Sequence, residues 1–352
     1  MKNLRVLVVD DSAFMRYTVS HHLSSQPDIE VVGLASNGLE AVEQVEALHP
    51  DVVTLDVEMP KLDGLSALRL IMEKHPVPVV MMSTLTKEGA AVTIEALTSG
   101  AVDFVTKPSQ SISVHQVLAE LTEKVRQASR AKVRTARLLA GVKRRHTSES
   151  IEVPERLVLI GSSTGGPGAL REVITRLPEN LPAGVIVVQH MPASFTRSLA
   201  ERLDELSALP VKEAERGDHI GTGRVLVAPG GLHMTLARGG EVQLNEGPAV
   251  NGVRPAVDVT LMSAVAAFGD RVLGVILTGM GHDGRDGARA LKRAGGRLIA
   301  QDEATCIVYG MPRSVVEAGL ADRVVPVDEI ADVICQMVGQ TSKKPQFLRA
   351  SA

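Results

Sequence analysis

One serine, one histidine and one aspartate each stand where an apolar, strand-like run ends. The runs LVLIG, VIVVQ and LGVILTGMG lead into Ser163, His190 and Asp283. In a parallel α/β sheet the carboxyl ends of the strands share one edge, and ligand crevices form there. Three residues far apart in sequence can therefore meet, and their types are those of a nucleophile, a base and an orienter. A second set, Asp10, Asp11 and Asp56, also falls at strand ends, in the first third of the chain. Its chemistry is different: three carboxylates repel one another unless a cation lies among them. The pattern predicts a hydrolytic domain joined to an acidic switch.

The serine lies in Gly161-Ser162-Ser163-Thr164-Gly165, a G-x-S-x-G run at a strand-to-helix turn that exposes a nucleophile beside a helix N-terminus. Pro167 suits the first turn of that helix, whose dipole and free amides can stabilise an oxyanion. Gly161 to Gly166 also has the spacing of a phosphate-binding loop. Pro167-Gly168 replaces the Lys-Ser/Thr such a loop needs, and G-x-G-x-x-G is absent. Taken singly, His190 is an ordinary turn residue and Asp283 an ordinary helix cap. On one sheet edge with Ser163 they form a triad. His282 is nearer to Asp283 in sequence, but neighbouring side chains in a turn diverge, so His190 is the expected base. The order Ser, His, Asp differs from the Ser, Asp, His order of α/β-hydrolases.

In the acidic set, a doubly wound sheet of order 2-1-3-4-5 makes strands 1 and 3 neighbours, so Asp10, Asp11 and Asp56 converge. Hard oxygen ligands of this kind suit Mg²⁺. Lys107, before Pro108, supplies the opposite charge, and Ser83 a hydroxyl able to follow a phosphoryl group. The full set reads as a phosphoacceptor pocket.

The elements that must hold these residues are legible as an alternation. RVLVVDD, EVVGLAS, VVTLDVEMP, VPVVMMST and VDFVTKP are strand candidates, separated by helical stretches that close on Pro or Gly. LVLIGSS, GVIVVQHM, RVLVAPG, VLGVILTGMG and GRLIAQD continue the pattern from Arg156. Val-rich strands alternating with helices predict two doubly wound parallel sheets. The segment HMTLARGGEVQLNEG interrupts the second as a hairpin turning at Gly239 and Gly240. The expected domains are 4–121 and 153–344, joined by a basic linker over 122–152. Nine Lys/Arg lie between Glu123 and Glu149 with no acid among them, either the last helix of the first domain running into a solvated linker or a stretch facing an anionic surface.

Bulk composition excludes several classes. The 352 residues suffice for two cores, and 44% hydrophobic with 22% charged residues is a globular balance. A net charge of -3 gives no general pull toward nucleic acid, and 2% aromatics without Trp offers no base-stacking platform. Cys306 and Cys335 are expected to be free thiols. No apolar run approaches the roughly 18 residues of a membrane span. MKNLRVLVVDDS lacks a signal-peptide core, so the cytoplasm is the expected compartment.

Residues 4–121, with DD, D, S and KP at successive strand ends, resemble the receiver domain of bacterial response regulators. That resemblance implies Asp56 as the phosphorylated residue, Asp11 and the Glu58 main chain completing the Mg²⁺ shell, and Phe104 as the aromatic switch. GSSTGGPGAL, VVQHMP, APGG-HM, RPAVDV-LM and LTGMG-DG look like the chemotaxis protein-glutamate methylesterases, the CheB-type response regulators. The likeness runs to about residue 344. It implies the triad Ser163, His190 and Asp283, the Met280 main-chain amide as oxyanion donor, and Thr164 supporting the histidine. It further implies demethylation of glutamate methyl esters and deamidation of glutamines on chemoreceptors, with a histidine kinase as partner and no cofactor at the esterase site. Ser162 and His282 stand where the family often carries other residues. A DNA-binding output domain would need a basic reading element after the linker, and a nucleotide-binding one a phosphate fingerprint; neither is present.

Overall fold

The computed structural model describes residues 3–108, 113–131 and 153–339. The first sheet comprises β1 (Leu4–Val9), β2 (Ile29–Ala35), β3 (Val52–Asp56), β4 (Val79–Ser83) and β5 (Asp103–Thr106). Its order is β2-β1-β3-β4-β5, all parallel, so the ends of β1 and β3 are adjacent as expected. Every residue of β3 and β4 is buried, as a sheet covered on both faces requires. The covering helices are α1 (Ala13–Ser24), α2 (Gly38–Leu48), α3 (Gly64–Lys74), α4 (Lys87–Thr98) and α5 (Val114–Ala128). Ser12, Asn37, Asp63, Thr86 and Ser113 cap their starts with side-chain oxygens that accept backbone N–H groups.

The boundary expected at residue 121 falls inside α5. Val125 and Ala128 are buried on the face that packs on the sheet, so the helix continues. Lys124 and Arg126, expected in a basic linker, are engaged in ion pairs of this domain. Residues 132–152, the greater part of that linker, and the tail from 340 lie outside the described residues.

The second domain is a seven-stranded parallel sheet of order β14-β13-β12-β6-β7-β9-β8. Its strands are β6 (Leu157–Ser162), β7 (Gly184–Gln189), β8 (Val211–Glu213), β9 (Val225–Val227), β12 (Val272–Ile276), β13 (Arg297–Gln301) and β14 (Arg323–Val325). β10 (His233–Leu236) and β11 (Val242–Asn245) form the antiparallel hairpin, with Gly239 and Gly240 at φ 92° and 83° in its turn. Helices α6 (Gly166–Ile174), α7 (Ala193–Leu206), α8 (Val257–Phe268), α9 (Arg285–Arg293), α10 (Met311–Glu317) and α11 (Ile330–Gly339) cover the sheet. The chain leaves β6 toward β7 and returns to β12 on its other side. The switch point is therefore at the end of β6, where Ser163 stands.

The two domains touch. α4 lies against α6 and α7, and one apolar cluster runs from Leu97 and Phe104 into Ala169, Phe195 and Leu199. Phe104 stacks on Phe195 with ring centroids 4.2 Å apart. Cys306 and Cys335 are both free thiols.

Candidate active site

β6 ends at Ser162, and the chain bends through Ser163–Gly165 into α6. Gly165 has φ 76°, and a Cβ there would lie 2.6 Å from the Ile307 side chain, so only glycine fits. The Ser163 amide donates to the Thr278 carbonyl (3.0 Å), and its carbonyl accepts from Gly166 N (2.7 Å) and Gln189 Nε2 (2.9 Å). These bonds fix the turn that presents the side chain. Ser162 is fully buried, and its hydroxyl donates to Gln189 Oε1 (2.6 Å). Of the two serines, Ser163 is the one lining the cavity.

His190 follows β7, with its amide on the Ser162 carbonyl (3.2 Å). Its Nε2 lies 2.8 Å from Asp283 Oδ2, which leaves Nδ1 to accept a proton from a nucleophile. Asp283 is buried and accepts four further bonds, from the amides of Val257 (2.6 Å), Asp258 (3.1 Å) and Gly284 (3.0 Å) and from Asn251 Nδ2 (3.2 Å). Val257 and Asp258 open α8, so the carboxylate sits at the positive end of that helix. Burial works to push the Asp283 carboxyl up. The hydrogen bond and charge of His190, with the Val257 and Asp258 amides, outweigh it and hold the group below its ordinary range. Asp283 is thus kept ionised, as an orienter must be. His282 is exposed and does not line the cavity.

Behind Asp283 lies a second buried carboxylate, Asp258. It accepts from Gly287 N of α9 (2.7 Å) and from Asn251 Nδ2 (3.0 Å), so Asn251 bridges both acids. Burial, reinforced by the Asp283 charge and resisted by the Gly287 amide, pushes Asp258 up to about 6. The two acids are driven apart, Asp283 toward charge and Asp258 toward the proton.

In the first domain, oxygens of Asp10, Asp11 and Asp56 lie within 4.8 Å of one another. Lys107 Nζ is 2.9 Å from Asp10 Oδ2 and 2.7 Å from Asp56 Oδ2. Burial pushes Asp56 up to about 6 and the Asp10 charge adds to it, while Lys107 and the Glu58 amide pull the other way. The Oδ2 atoms of Asp10 and Asp56 are buried and share the one Lys107 ammonium. Crowded carboxylate oxygens of this kind fit a hard divalent cation. Ser83 is turned from the pocket, with its hydroxyl on the Gly89 carbonyl (3.2 Å) and Thr93 donating to it (2.6 Å).

The cavity over Ser163, about 600 Å³, is walled by both domains. Ser163 and His190 come from the second, and Asp103, Phe104 and Lys124 from the first. Thr164 Oγ1 donates to Asp103 Oδ2 (2.7 Å), and Gly165 N to the Val102 carbonyl (3.2 Å). Lys124 Nζ reaches Asp103 (3.2 Å), Glu120 (2.9 Å) and the Phe104 carbonyl (2.5 Å). Burial works against its charge, but the two carboxylates outweigh it and the ammonium stays protonated. Arg171 donates to the Thr98 carbonyl. The first domain is thus bonded to the very turn that carries Ser163.

A profile of the CheB methylesterase family matches residues 158–334, and one of the response regulator receiver domain matches residues 6–119. The chain belongs to the CheB methylesterase family. The chain is 56% identical to a protein-glutamate methylesterase/protein-glutamine glutaminase of Symbiobacterium thermophilum, across 96% of this chain and 98% of the relative. A relative of the same name from Thermotoga maritima is 52% identical across 95% and 98%. The solved Thermotoga maritima CheB methylesterase catalytic domain is 49% identical and superposes with a TM-score of 0.51, covering 52% of this chain and 98% of that one.

Within this enzyme, a carboxylic ester hydrolase with a receiver domain, one expected role is displaced. Thr164 was implied as a support for His190, yet its hydroxyl proton goes to the receiver's Asp103. The buried carboxylate is the better acceptor while the domains are docked. The Met280 side chain is half-exposed, and its sulfur lies 2.7 Å from Gln127 Nε2 of α5. Among the described residues no backbone carbonyl takes the Met280 N–H. Sequence reasoning missed Asn251 and Asp258 as partners of Asp283. Asp258 lies in RPAVDV, but an acid in the first turn of a helix reads as a response to the dipole. Gln189, which fixes both serines, was hidden for a similar reason at the end of an apolar strand.

Proposed function

We propose that this enzyme hydrolyses γ-glutamyl methyl esters on chemoreceptors, and deamidates glutamines there, under control of its own receiver. Ser163 Oγ attacks the side-chain carbonyl while His190 Nδ1 takes its proton, and the Met280 amide stabilises the oxyanion. The proton returns to the leaving oxygen and methanol departs. Water then attacks the acyl-enzyme, His190 again shuttles the proton, and a glutamate carboxylate is released. With a glutamine the carbonyl is placed alike and ammonia leaves. Nucleophile, base and orienter are all side chains, so this hydrolysis calls for no cofactor. The carrying observation is the 2.8 Å His190–Asp283 contact beside Ser163.

In the receiver, spanning residue 4 to the end of α5, a chemotaxis histidine kinase is the phosphodonor to Asp56. Asp10, Asp11, Asp56 and the Glu58 main chain would hold Mg²⁺, which neutralises the charge of phosphoryl oxygens. Phosphorylation adds roughly -1 to -2 of charge beside Lys107, drawing in Lys107 and Ser83. The docked face, with Phe104 on Phe195 and Asp103 on Thr164, then separates and opens the cavity. The catalytic domain, expected over 153–344, acts on receptor segments in the cytoplasm for sensory adaptation, with no role in nucleic-acid binding or membrane insertion. No helix among the described residues is long and apolar enough to cross a membrane.

The test is methanol release from methylated receptor membranes, with and without a small phosphodonor and Mg²⁺. Release that the phosphodonor stimulates supports the assignment. No release under either condition overturns it.

A further inference from the structure

Beside the loop that carries Met280 and Asp283, the catalytic domain bears a groove of about 480 Å³. Arg285 and Arg289 of α9 line it with Arg313 and a single carboxylate, Glu317, of α10, and Gly281 and Gly310 line it as well. Gly310 N bonds the Gly279 carbonyl (3.1 Å), so the groove is continuous with the catalytic loop. No receiver residue lines it among the described residues. It is therefore open while the cavity over Ser163 is walled by the receiver.

Three features show that the fold does not require these cations. Arg285 is the first residue of α9, where a positive charge opposes the helix dipole. Among the described residues it has no carboxylate partner, and its Nε is buried without a hydrogen bond. Among the described residues Arg289 pairs with Asp286 (2.5 Å) and Arg313 with Glu317 (2.6 Å), exposed contacts between residues one helical turn apart. Pairs of that kind contribute little and exchange readily for another carboxylate.

We infer that this arginine groove docks an acidic helical segment of the protein substrate, engaging free glutamate side chains near the esterified one. The inference rests on the proposed activity, whose product is a glutamate carboxylate: each turnover leaves a group of the class the groove takes. Carboxylates one or two helical turns apart match guanidinium groups borne on two helices, and planar guanidiniums hold carboxylates by paired hydrogen bonds.

The test compares the full-length enzyme with Arg289→Gln/Arg313→Gln and with Arg289→Lys/Arg313→Lys on methylated receptor membranes, at low and moderate salt. Both residues are exposed, and Arg285 is left intact because it adjoins Asp283. We expect the Gln pair to raise KM for receptor about tenfold with kcat within twofold, and to flatten the rise of KM with salt. The Lys pair should recover most of the affinity. If the wild type demethylates receptor but the Gln pair keeps its KM and salt dependence, the groove is not the dock. A loss in kcat alone also overturns it. Binding of the wild type to receptor-free anionic vesicles, abolished in the Gln pair, would assign the groove to lipid instead. A wild type that releases no methanol removes the proposed activity, and the dock with it.

Discussion

At the scale of single residues, Ser162 and Ser163 have exchanged what the sequence leaves ambiguous for two separate duties. Ser162 is committed to Gln189, whereas Ser163 lines the cavity near His190. Ser163→Ala should fold normally and lose methanol release by about 10³-fold or more, since triad members act as a unit. Ser162→Ala should retain most activity; a reversal of the two outcomes would reassign the nucleophile. Asp258 offers a second test. Its carboxyl is raised from 3.8 to about 6 in the folded enzyme. Between those values the native state holds a proton that the unfolded chain has released, so stability falls as pH rises through that window. Asp258→Asn removes the titration and should flatten this part of the curve. Thermal midpoints from pH 4 to 7 measure it, and equal slopes in the two proteins would count against the carboxylate pair.

At the scale of elements, docking turns on the Phe104–Phe195 stack between β5 and the first turn of α7. An aromatic pair contributes about 0.5–1.5 kcal/mol beyond area burial. Phe195→Leu keeps an apolar side chain but loses the stack. Resting esterase activity should rise about two- to tenfold, with the phosphodonor-stimulated rate nearly unchanged; an unaltered resting rate would exclude the stack as a restraint. Most elements were legible in advance because they have length and a period. β3 and β4 are mostly apolar, and the Gly239-Gly240 turn announces its hairpin. β8 and β14 were not foreseen: each is three residues at a sheet edge, too short to show a period. The first-domain boundary was set too early because Lys124 and Arg126 look like linker residues, when Val125 and Ala128 hold them on a helix. The meeting of Ser163, His190 and Asp283 at one sheet edge was legible from strand ends alone. Its Asn251–Asp258 support was not, because a contact between a loop and two helix starts leaves no spacing in the sequence.

At the scale of the whole molecule, the proposed switch is a competition between the receiver and the substrate for one surface. Asp56→Asn should keep the resting rate and abolish stimulation by phosphodonor with Mg²⁺. Removing residues 1–152 should raise activity above the resting full-length level. A truncated enzyme no faster than the resting one would mean that activation comes from contacts the phosphorylated receiver makes, and not from its departure.

The bond from Thr164 to Asp103 also has a consequence in the opposite direction. A coupling free energy between two sites is shared equally by both. If phosphate on Asp56 loosens the receiver from the Ser163 turn, then whatever occupies that turn must favour phosphate on Asp56. An ester analogue bonded covalently to Ser163 would hold the receiver off its face, and half-maximal receiver phosphorylation should then need a lower phosphodonor concentration. The receptor would in this way help to arm the enzyme that edits it, and adaptation would be fastest where unedited sites are most abundant.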